Sequence, residues 1–189
     1  MKIKEEKMKR NKKKLNLEIK IEDVLLKDRK LFLYNEVKAE NMEKIVKQLF
    51  VLDKLNHKPI YLYINSPGGS VSDGFSLINS IKLLKSLVIT IITGEACSMG
   101  GLISIAGNKR FMTKNSFWMG HDMRGGIWGD YSGKVEHRAE YIKKCWKMIE
   151  NHLREYTKLT NKDLEQLRNG ELWLSPEECL EKKIIDKII

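Results

Sequence analysis

An apolar, β-branched segment that runs directly into a cluster of small residues constrains the fold of this chain more than any other stretch. The segment is Leu87–Thr93, the cluster is Gly94–Gly101, and a second apolar run, Leu102–Ala106, follows it. This order predicts a strand, a tight turn and a helix. Ser98 then lies at or just before the first turn of the helix, where backbone N–H groups have no intrahelical partner.

Ser98 has two interpretations at such a bend. A serine there can act as a nucleophile, because the free N–H groups and the positive end of the helix dipole would meet a developing oxyanion. The alternative is that Ser98 only caps the helix, which is the commoner role of an isolated serine in this position. The choice between the two depends on the rest of the chain.

The composition is that of a one-domain globular protein. The chain has 189 residues, of which 42% are hydrophobic and 32% are charged. Its apolar runs are shorter than the ~18 residues that a membrane helix needs, and its beginning lacks the apolar core of a secretory signal. The cysteines Cys97, Cys145 and Cys179 are far apart and make no metal-spacing motif, which suits a reducing compartment. We therefore expect a cytoplasmic protein that binds no metal.

Most of the positive charge belongs to the first residues. The net charge is +10, and residues 1–16 hold eight Lys or Arg against two Glu. We expect a disordered basic tail over 1–16 and a single domain over 17–189. A nucleic-acid-binding arm is the alternative, but no aromatic residue is interleaved with these charges for stacking on bases, so nucleic acid is not an expected partner.

Strands and helices are expected to alternate through the middle of the chain, which predicts stacked βαβ units and a mostly parallel sheet. Residues 17–26 alternate partly and suggest a short strand or docking segment. Strands are predicted within Asp28–Leu33 and at Pro59–Ile64, Leu87–Thr93, Arg110–Met112 and Phe117–Met119, and Ile184–Ile189 is expected to be a short closing strand or a tail. Helices are predicted at Val37–Asn56, Ser72–Lys85, Lys162–Arg168 and from Ser175 onward.

Three helices have buried faces that their spacing identifies. The first is expected to bury Met42, Ile45, Val46, Leu49, Leu52 and Leu55, and the second Phe75, Ile78, Ile81 and Leu84. The longest helix follows a glycine-rich loop, Gly120–Gly129, and carries the apolar stripe Val135, Ala139, Ile142, Trp146, Ile149, Leu153 and Tyr156.

A second strand-to-helix turn, Asn65–Gly69, reads Asn-Ser-Pro-Gly-Gly. Its glycines allow the backbone to approach a ligand closely with N–H groups free to donate. It is not a nucleotide-binding loop, because the Gly-Lys-Ser/Thr of such loops is missing. Turns of successive βα units lie at the same edge of a parallel sheet. One turn can thus supply a serine and the other a hydrogen-bond donor.

A nucleophilic serine needs a base, and His121 is the candidate. It ends a short apolar strand, whereas His137 and His152 lie within the long helix, mostly off its stripe, and His57 ends a helix before Pro59. By elimination His121 is the base.

Three motifs in this order resemble the proteolytic subunits of the Clp protease, the ClpP family. They are Ile60–Val71, Ala96–Gly100 and Met119–His121, and the similarity extends to Leu25–Arg29 and to Leu174–Asp186. It covers roughly residues 24–189. The resemblance implies an α/β fold of the ClpP/crotonase-like type, a spiral of stacked ββα and βα units with a protruding handle helix.

The resemblance also implies a serine endopeptidase with a Ser-His-acid triad. Ser98 matches the nucleophile and His121 the general base, and the oxyanion hole falls on the backbone N–H groups of Gly69 and Met99. The acid of the family lies two residues before an aromatic residue, here Trp173, so the acid position is Glu171, where the family usually has Asp. The alternatives for the acid are Asn169, Asp122 and Asp130.

The resemblance further implies a homo-oligomer of heptameric rings, which the long helix and the loop before it pair into a fourteen-subunit barrel. Unfolded polypeptides would be fed by an AAA+ unfoldase of the ClpX, ClpA or ClpC kind, and that partner would use the ATP, so no cofactor is expected here. The basic beginning of the chain differs from the usual axial-loop segment, and Lys183 stands where a glycine commonly ends the last helix. Competing hypotheses are a catalytically weak or inactive ring subunit and a crotonase-class acyl-CoA enzyme.

Overall fold

The computed structural model describes residues 21–123 and 132–189. The predicted tail over 1–16, most of the predicted glycine-rich loop and Asp130 lie outside the described residues. The strands are β1 Lys30–Leu33, β2 Ile60–Ser66, β3 Val88–Cys97, β4 Lys109–Met112, β5 Phe117–His121, β6 Glu171–Leu174 and β7 Lys187–Ile188. The helices are α1 over residues 21–27, α2 Ala39–Leu55, α3 Val71–Leu83, α4 Met99–Ser104, α5 Ser132–Tyr156, α6 Asn161–Asn169 and α7 Pro176–Glu181.

Among the described residues the strands form one sheet in the order β1-β2-β3-β4-β7, with β5 on β3 and β6 on β5. All of these pairings are parallel except that of β5 with β6. The long strand β3 pairs with β4 over Ile89–Ile92 and then with β5 over Glu95–Cys97. The predicted parallel sheet is confirmed, and β3 is the strand on which the rest is assembled.

The helices pack on this sheet through the faces that their spacing predicts. In α2, Met42, Ile45, Leu49 and Leu52 are buried. The prediction for Leu55 is wrong: its side chain is 71% exposed, because α2 ends at this residue and its last turn extends beyond the core. Helix α3 buries Phe75, Ile78 and Ile81 as predicted, whereas Leu84 lies past its end and is only half-buried.

The start of the last helix, predicted at Ser175, depends on a short local motif. Ser175 caps α7 by accepting a hydrogen bond from the N–H of Glu178, and the Glu178 side chain accepts from the N–H of Ser175. Pro176 stands at the first helical position, where the missing N–H costs nothing. The predicted helix start is confirmed.

Three elements differ from the sequence expectation. Residues 21–27 are helical rather than extended, since their partial alternation was too short to define a strand. Strand β3 continues through Gly94 to Cys97, because β2 and β5 flank this small-residue stretch on both sides. Strand β6 was missed; its signal is the alternation that buries Leu172 and Leu174 and exposes Glu171 and Trp173.

The long helix α5 is buried along only part of its stripe. Trp146, Ile149 and Leu153 are buried against the core, whereas Val135, near the start of the helix, is 36% exposed. The first half of α5 therefore extends away from the core, as expected for a handle. Over the described parts of the chain, no helix is both long and apolar enough to cross a membrane.

Candidate active site

Ser98 occupies a sharp bend between β3 and α4. Its backbone has φ 52° and ψ −120°, a left-handed conformation that costs a non-glycine residue about 1–3 kcal/mol and is typical of strained functional turns. The bend is held on β5, since the N–H of Ser98 donates to the carbonyl of Met119 at 2.7 Å. The Ser98 side chain makes no capping hydrogen bond to α4, so the capping interpretation is wrong.

The glycine turn after β2 packs directly on this bend, so the two turns meet at one sheet edge as predicted. A Cβ on Gly68 would lie 2.6 Å from the Cβ of Ser98 and 2.7 Å from the carbonyl oxygen of Cys97. Gly68 also has φ +96°, which favours glycine. No side chain fits between the two turns.

Val37 clamps the same glycine turn from the opposite side. The N–H of Val37 donates to the Gly68 carbonyl at 2.7 Å, and the N–H of Ser70 donates to the Val37 carbonyl at 2.7 Å. Because successive peptide groups of an extended chain alternate in direction, this pairing leaves the N–H of Gly69 on the edge away from Val37. Sequence reasoning missed Val37, which has no motif of its own.

Both turns open into a cavity of about 490 Å³. Ser98, His121 and Gly69 line it, together with the carboxyl-bearing residues Glu36 and Asp122. The remaining wall is largely apolar and includes Val71, Met99, Leu102, Met123, Ile149, Leu153 and Leu167. The cavity has room for one large side chain beside the serine and favours an apolar one.

His121 ends β5 and reaches the cavity. Its Nδ1 contacts the backbone carbonyl oxygen of Asp122. A carbonyl oxygen only accepts hydrogen bonds, so Nδ1 carries the proton in this arrangement and Nε2 keeps its lone pair. The imidazole is therefore in the tautomer that a general base acting through Nε2 requires.

Glu171 lies directly across from His121, because β6 pairs antiparallel with β5 in the register His121↔Glu171. The indole N–H of Trp173 donates to Oε2 of Glu171 at 2.9 Å. The contacts between described residues include no hydrogen bond between His121 and Glu171. The structure thus places the predicted acid beside the predicted base, with the triad contact itself unformed in this conformation.

The alternative acids are placed less favourably. Oδ1 of Asp122 accepts the N–H of Met123 at 2.6 Å, so this carboxylate binds its own backbone. Asn169 is exposed at the end of α6. Asp130 lies outside the described residues.

Cys97 precedes the serine but is not a competing nucleophile. Its side chain is 3% exposed, and burial together with the carboxylates of Glu95 and Glu171 raises the pKa of the thiol to about 12. A thiol with this pKa stays protonated at neutral pH. Within residues 21–123 and 132–189, no three His, Cys, Asp or Glu residues group closely enough to hold a metal ion.

A strained serine at a strand-to-helix bend, beside a histidine and an apolar cavity, is the arrangement of a serine hydrolase on an α/β sheet. The profile of the Clp protease family matches residues 12–189, and the chain belongs to this family. The predicted family, fold class and serine peptidase activity are thereby confirmed, and the acyl-CoA alternative is set aside.

Three similar proteins are named ATP-dependent Clp protease proteolytic subunit. The Streptococcus mutans protein is 37% identical over 169 residues, which cover 87% of this chain and 86% of that protein. The Streptococcus suis protein is 36% identical over 173 residues, with the same coverage. The Streptococcus uberis protein is 37% identical over 169 residues, again with this coverage.

Proposed function

We propose that this chain is the proteolytic subunit of an ATP-dependent Clp-type protease, a serine endopeptidase that cleaves unfolded polypeptides through Ser98, His121 and Glu171. The observation that carries the proposal is the convergence of Ser98, His121 and the Gly68–Gly69 turn on one apolar cavity. Each element was predicted from a different motif, and the fold brings all three to the same edge of the sheet.

The first step is attack of the Ser98 hydroxyl oxygen on a peptide carbonyl carbon. Nε2 of His121 takes the hydroxyl proton as the C–O bond forms and later gives it to the leaving amine, which completes the acyl-enzyme. Water then attacks the ester with His121 again as base, and Ser98 is regenerated. Glu171 orients the imidazole and stabilises its protonated form.

The tetrahedral intermediate needs donors for its oxyanion. Met99 is the first residue of α4, so its N–H has no intrahelical acceptor. The N–H of Gly69 faces away from Val37, and the turn that carries it touches Ser98 through Gly68. These two N–H groups are our candidates for the oxyanion hole.

The apolar cavity supports cleavage after apolar side chains in extended, unfolded substrates. We propose that the chain works in the cytoplasm as a homo-oligomeric ring, heptameric or tetradecameric. In this proposal an AAA+ unfoldase delivers substrates and hydrolyses the ATP, and the subunit itself uses no cofactor. The names of the streptococcal relatives support the link to an ATPase.

A ring subunit with little activity of its own is the second candidate. It is favoured by one observation: Nδ1 of His121 is bonded to the Asp122 carbonyl rather than to a carboxylate. If this arrangement persisted in the assembled protein, the acid would not support the base.

Hydrolysis of a short fluorogenic peptide with an apolar residue before the cleaved bond separates the two candidates. The wild type is expected to turn over, and Ser98→Ala or His121→Ala to lose about 10⁴-fold or more in kcat, because members of a triad act as a unit. Ser76→Ala and His57→Ala, at exposed positions outside the cavity, are the matched controls and keep full activity. An assembled wild type that is as slow as Ser98→Ala would support the inactive subunit.

A further inference from the structure

We propose that Trp173 is a positioning residue whose indole N–H holds the Glu171 carboxylate across from His121. The inference rests on the proposed function and adds to it a role that nothing in the family resemblance assigns. The bond from Nε1 of Trp173 to Oε2 of Glu171 measures 2.9 Å. Hydrogen bonds to an ionised carboxylate are about twice as strong as those between neutral groups.

The strand register brings the three side chains together. On β6, Glu171 pairs with His121 and Trp173 pairs with Met119. Side chains two residues apart on a strand share a face, and directly opposed residues of an antiparallel pair have Cβ atoms about 4.5–5.5 Å apart. A carboxylate has about four acceptor sites, so the indole bond is compatible with a second bond from Nδ1 of His121.

The length of glutamate increases the effect of a bond that positions its carboxylate. Glu171 is exposed, and it has one more rotatable bond than the aspartate that the family resemblance leads one to expect. A longer acid has more rotamers to choose from, so a bond that favours the one supporting His121 matters more for glutamate than for aspartate. The indole N–H reaches the longer carboxylate and restricts it, whereas an aspartate carboxylate would fall short by about one C–C bond.

Each partner of this bond also makes one weaker contact of its own. The ring of Trp173 packs edge-on against Phe117, with ring centroids 6.5 Å apart and an interplanar angle of 77°. The backbone carbonyl of Glu171 accepts a hydrogen bond from the Gln166 side chain at 3.3 Å. Trp173 is itself 49% exposed, so a half-buried indole makes its specific polar contact with the acid.

Trp173→Phe tests the proposal, because phenylalanine keeps an aromatic ring against Phe117 and removes only the N–H. We expect kcat for a short peptide to fall about tenfold with KM within twofold, the size expected for loss of one hydrogen bond to a charged group. The rate at which a fluorophosphonate acylates Ser98 should fall by the same factor. Phe117→Leu, which removes the edge contact and keeps the N–H, should change both rates less than threefold.

A double-mutant cycle with Glu171→Asp separates positioning from a structural role. The shorter acid no longer reaches the indole, so adding Trp173→Phe to Glu171→Asp should leave kcat and the acylation rate unchanged. An equal loss in both backgrounds would mean that Trp173 acts on folding or assembly and would overturn the proposal. So would a Trp173→Phe variant with wild-type rates.

The outcome for the wild type separates this inference from the proposed function. A wild type that reacts at Ser98, together with an unaffected Trp173→Phe variant, removes the role of Trp173 and leaves the peptidase intact. A folded, assembled wild type that does not react at Ser98 removes both.

Discussion

The backbone of Ser98 is in a strained conformation, and hydrogen bonds to neighbouring residues keep it there. The N–H of Ser98 donates to the Met119 carbonyl, and its own carbonyl accepts the N–H of Leu102 at 3.1 Å. The absence of a Cβ on Gly68 leaves the space in which the bend sits. The sequence predicts a small residue here, but only the structure shows which atoms a side chain would meet.

Gly68→Ala is predicted to abolish peptidase activity and to lower the free energy of unfolding, because the new Cβ would meet fixed backbone at 2.7 Å. Gly170→Ala is the matched control, since its Cβ would lie 3.7 Å from the Gln166 carbonyl, an ordinary contact. Peptide turnover and urea unfolding of both variants provide the test. Equal activities would contradict the close approach of the two turns.

Lys183 holds φ 57° just after α7, where the resemblance leads one to expect glycine. The N–H of Ile184 still reaches the Cys179 carbonyl at 2.8 Å, so the helix ends as a glycine-capped helix would. A left-handed conformation costs a residue with a Cβ about 1–2 kcal/mol.

Lys183→Gly should therefore raise the free energy of unfolding by about 1 kcal/mol, after the larger entropy of glycine in the unfolded chain is allowed for. Lys183→Ala removes the same charge but keeps the Cβ, and should give no such gain. Urea denaturation of the three proteins at one protein concentration measures the difference. A gain from alanine as large as that from glycine would show that charge, not backbone conformation, decides the effect.

At the scale of elements, apolar periodicity predicts most of the fold. The buried faces of α2 and α3 follow from spacing alone, because a 3.6-residue period leaves one choice of inward face. Strand β6 was not predicted, because four residues with two leucines give too short an alternation. Its register across from β5 depends on tertiary contacts, so the placement of Glu171 opposite His121 could not be read from spacing.

The site, like the fold, was predictable where local sequence patterns determine it and not where distant segments pair. Ser98 and the glycine turn were found because each follows a strand, and His121 was found by elimination. The Val37 clamp, the Asp122 carbonyl and the bond from Trp173 to Glu171 were not found. Each of these contacts depends on backbone groups or on pairing between distant segments. Contacts of these kinds have no signature in the amino-acid sequence.

His152 joins the long helix α5 to the helix that follows the nucleophile. Its Nε2–H donates to the Leu102 carbonyl at 3.0 Å, and its ring lies against Phe75 and Tyr156. The sequence predicts that His152 lies mostly off the apolar stripe of the long helix, yet its side chain is only 4% exposed. Burial lowers the pKa of His152; nearby Lys82 lowers it further, while the bond to Leu102 and the charge of Glu155 act in the opposite direction.

This pKa shift predicts acid-sensitive packing of α5. The unfolded chain binds a proton at His152 near pH 6.5 while the folded chain does not, so stability is full above that pH and falls below it. His152→Gln should show a smaller loss of unfolding free energy between pH 7.5 and pH 5 than the wild type, and exposed His57→Gln should not. Urea unfolding at the two pH values measures this difference. A pH dependence in His152→Gln equal to that of the wild type would contradict the lowered pKa of His152.

At the scale of the whole molecule, the described surface carries apolar groups that a single chain leaves exposed. Val135 is 36% exposed, Tyr141 58% and Met148 40%, and all three lie on α5. Large exposed apolar side chains in one region indicate contact with another molecule. A second copy of the chain is the partner that the proposed ring supplies.

Light scattering on the purified protein should therefore give a mass about seven or fourteen times the 22.0 kDa of one chain. Val135→Glu puts a charge on the exposed stripe of α5 and should reduce the larger species to the smaller. Glu136→Gln, a neighbouring change off the stripe, should not. A monomer at micromolar concentration would contradict the assembly proposed here.

The central claim is that Ser98 is a nucleophile activated by His121, and intact-mass analysis after fluorophosphonate treatment tests it most directly. We expect one adduct per chain, located on Ser98 by peptide mapping, absent from Ser98→Ala and strongly slowed in His121→Ala. Folding and assembly of each variant are checked by circular dichroism and light scattering. A folded, assembled wild type that takes up no adduct, or takes it up at a residue other than Ser98, would contradict the account.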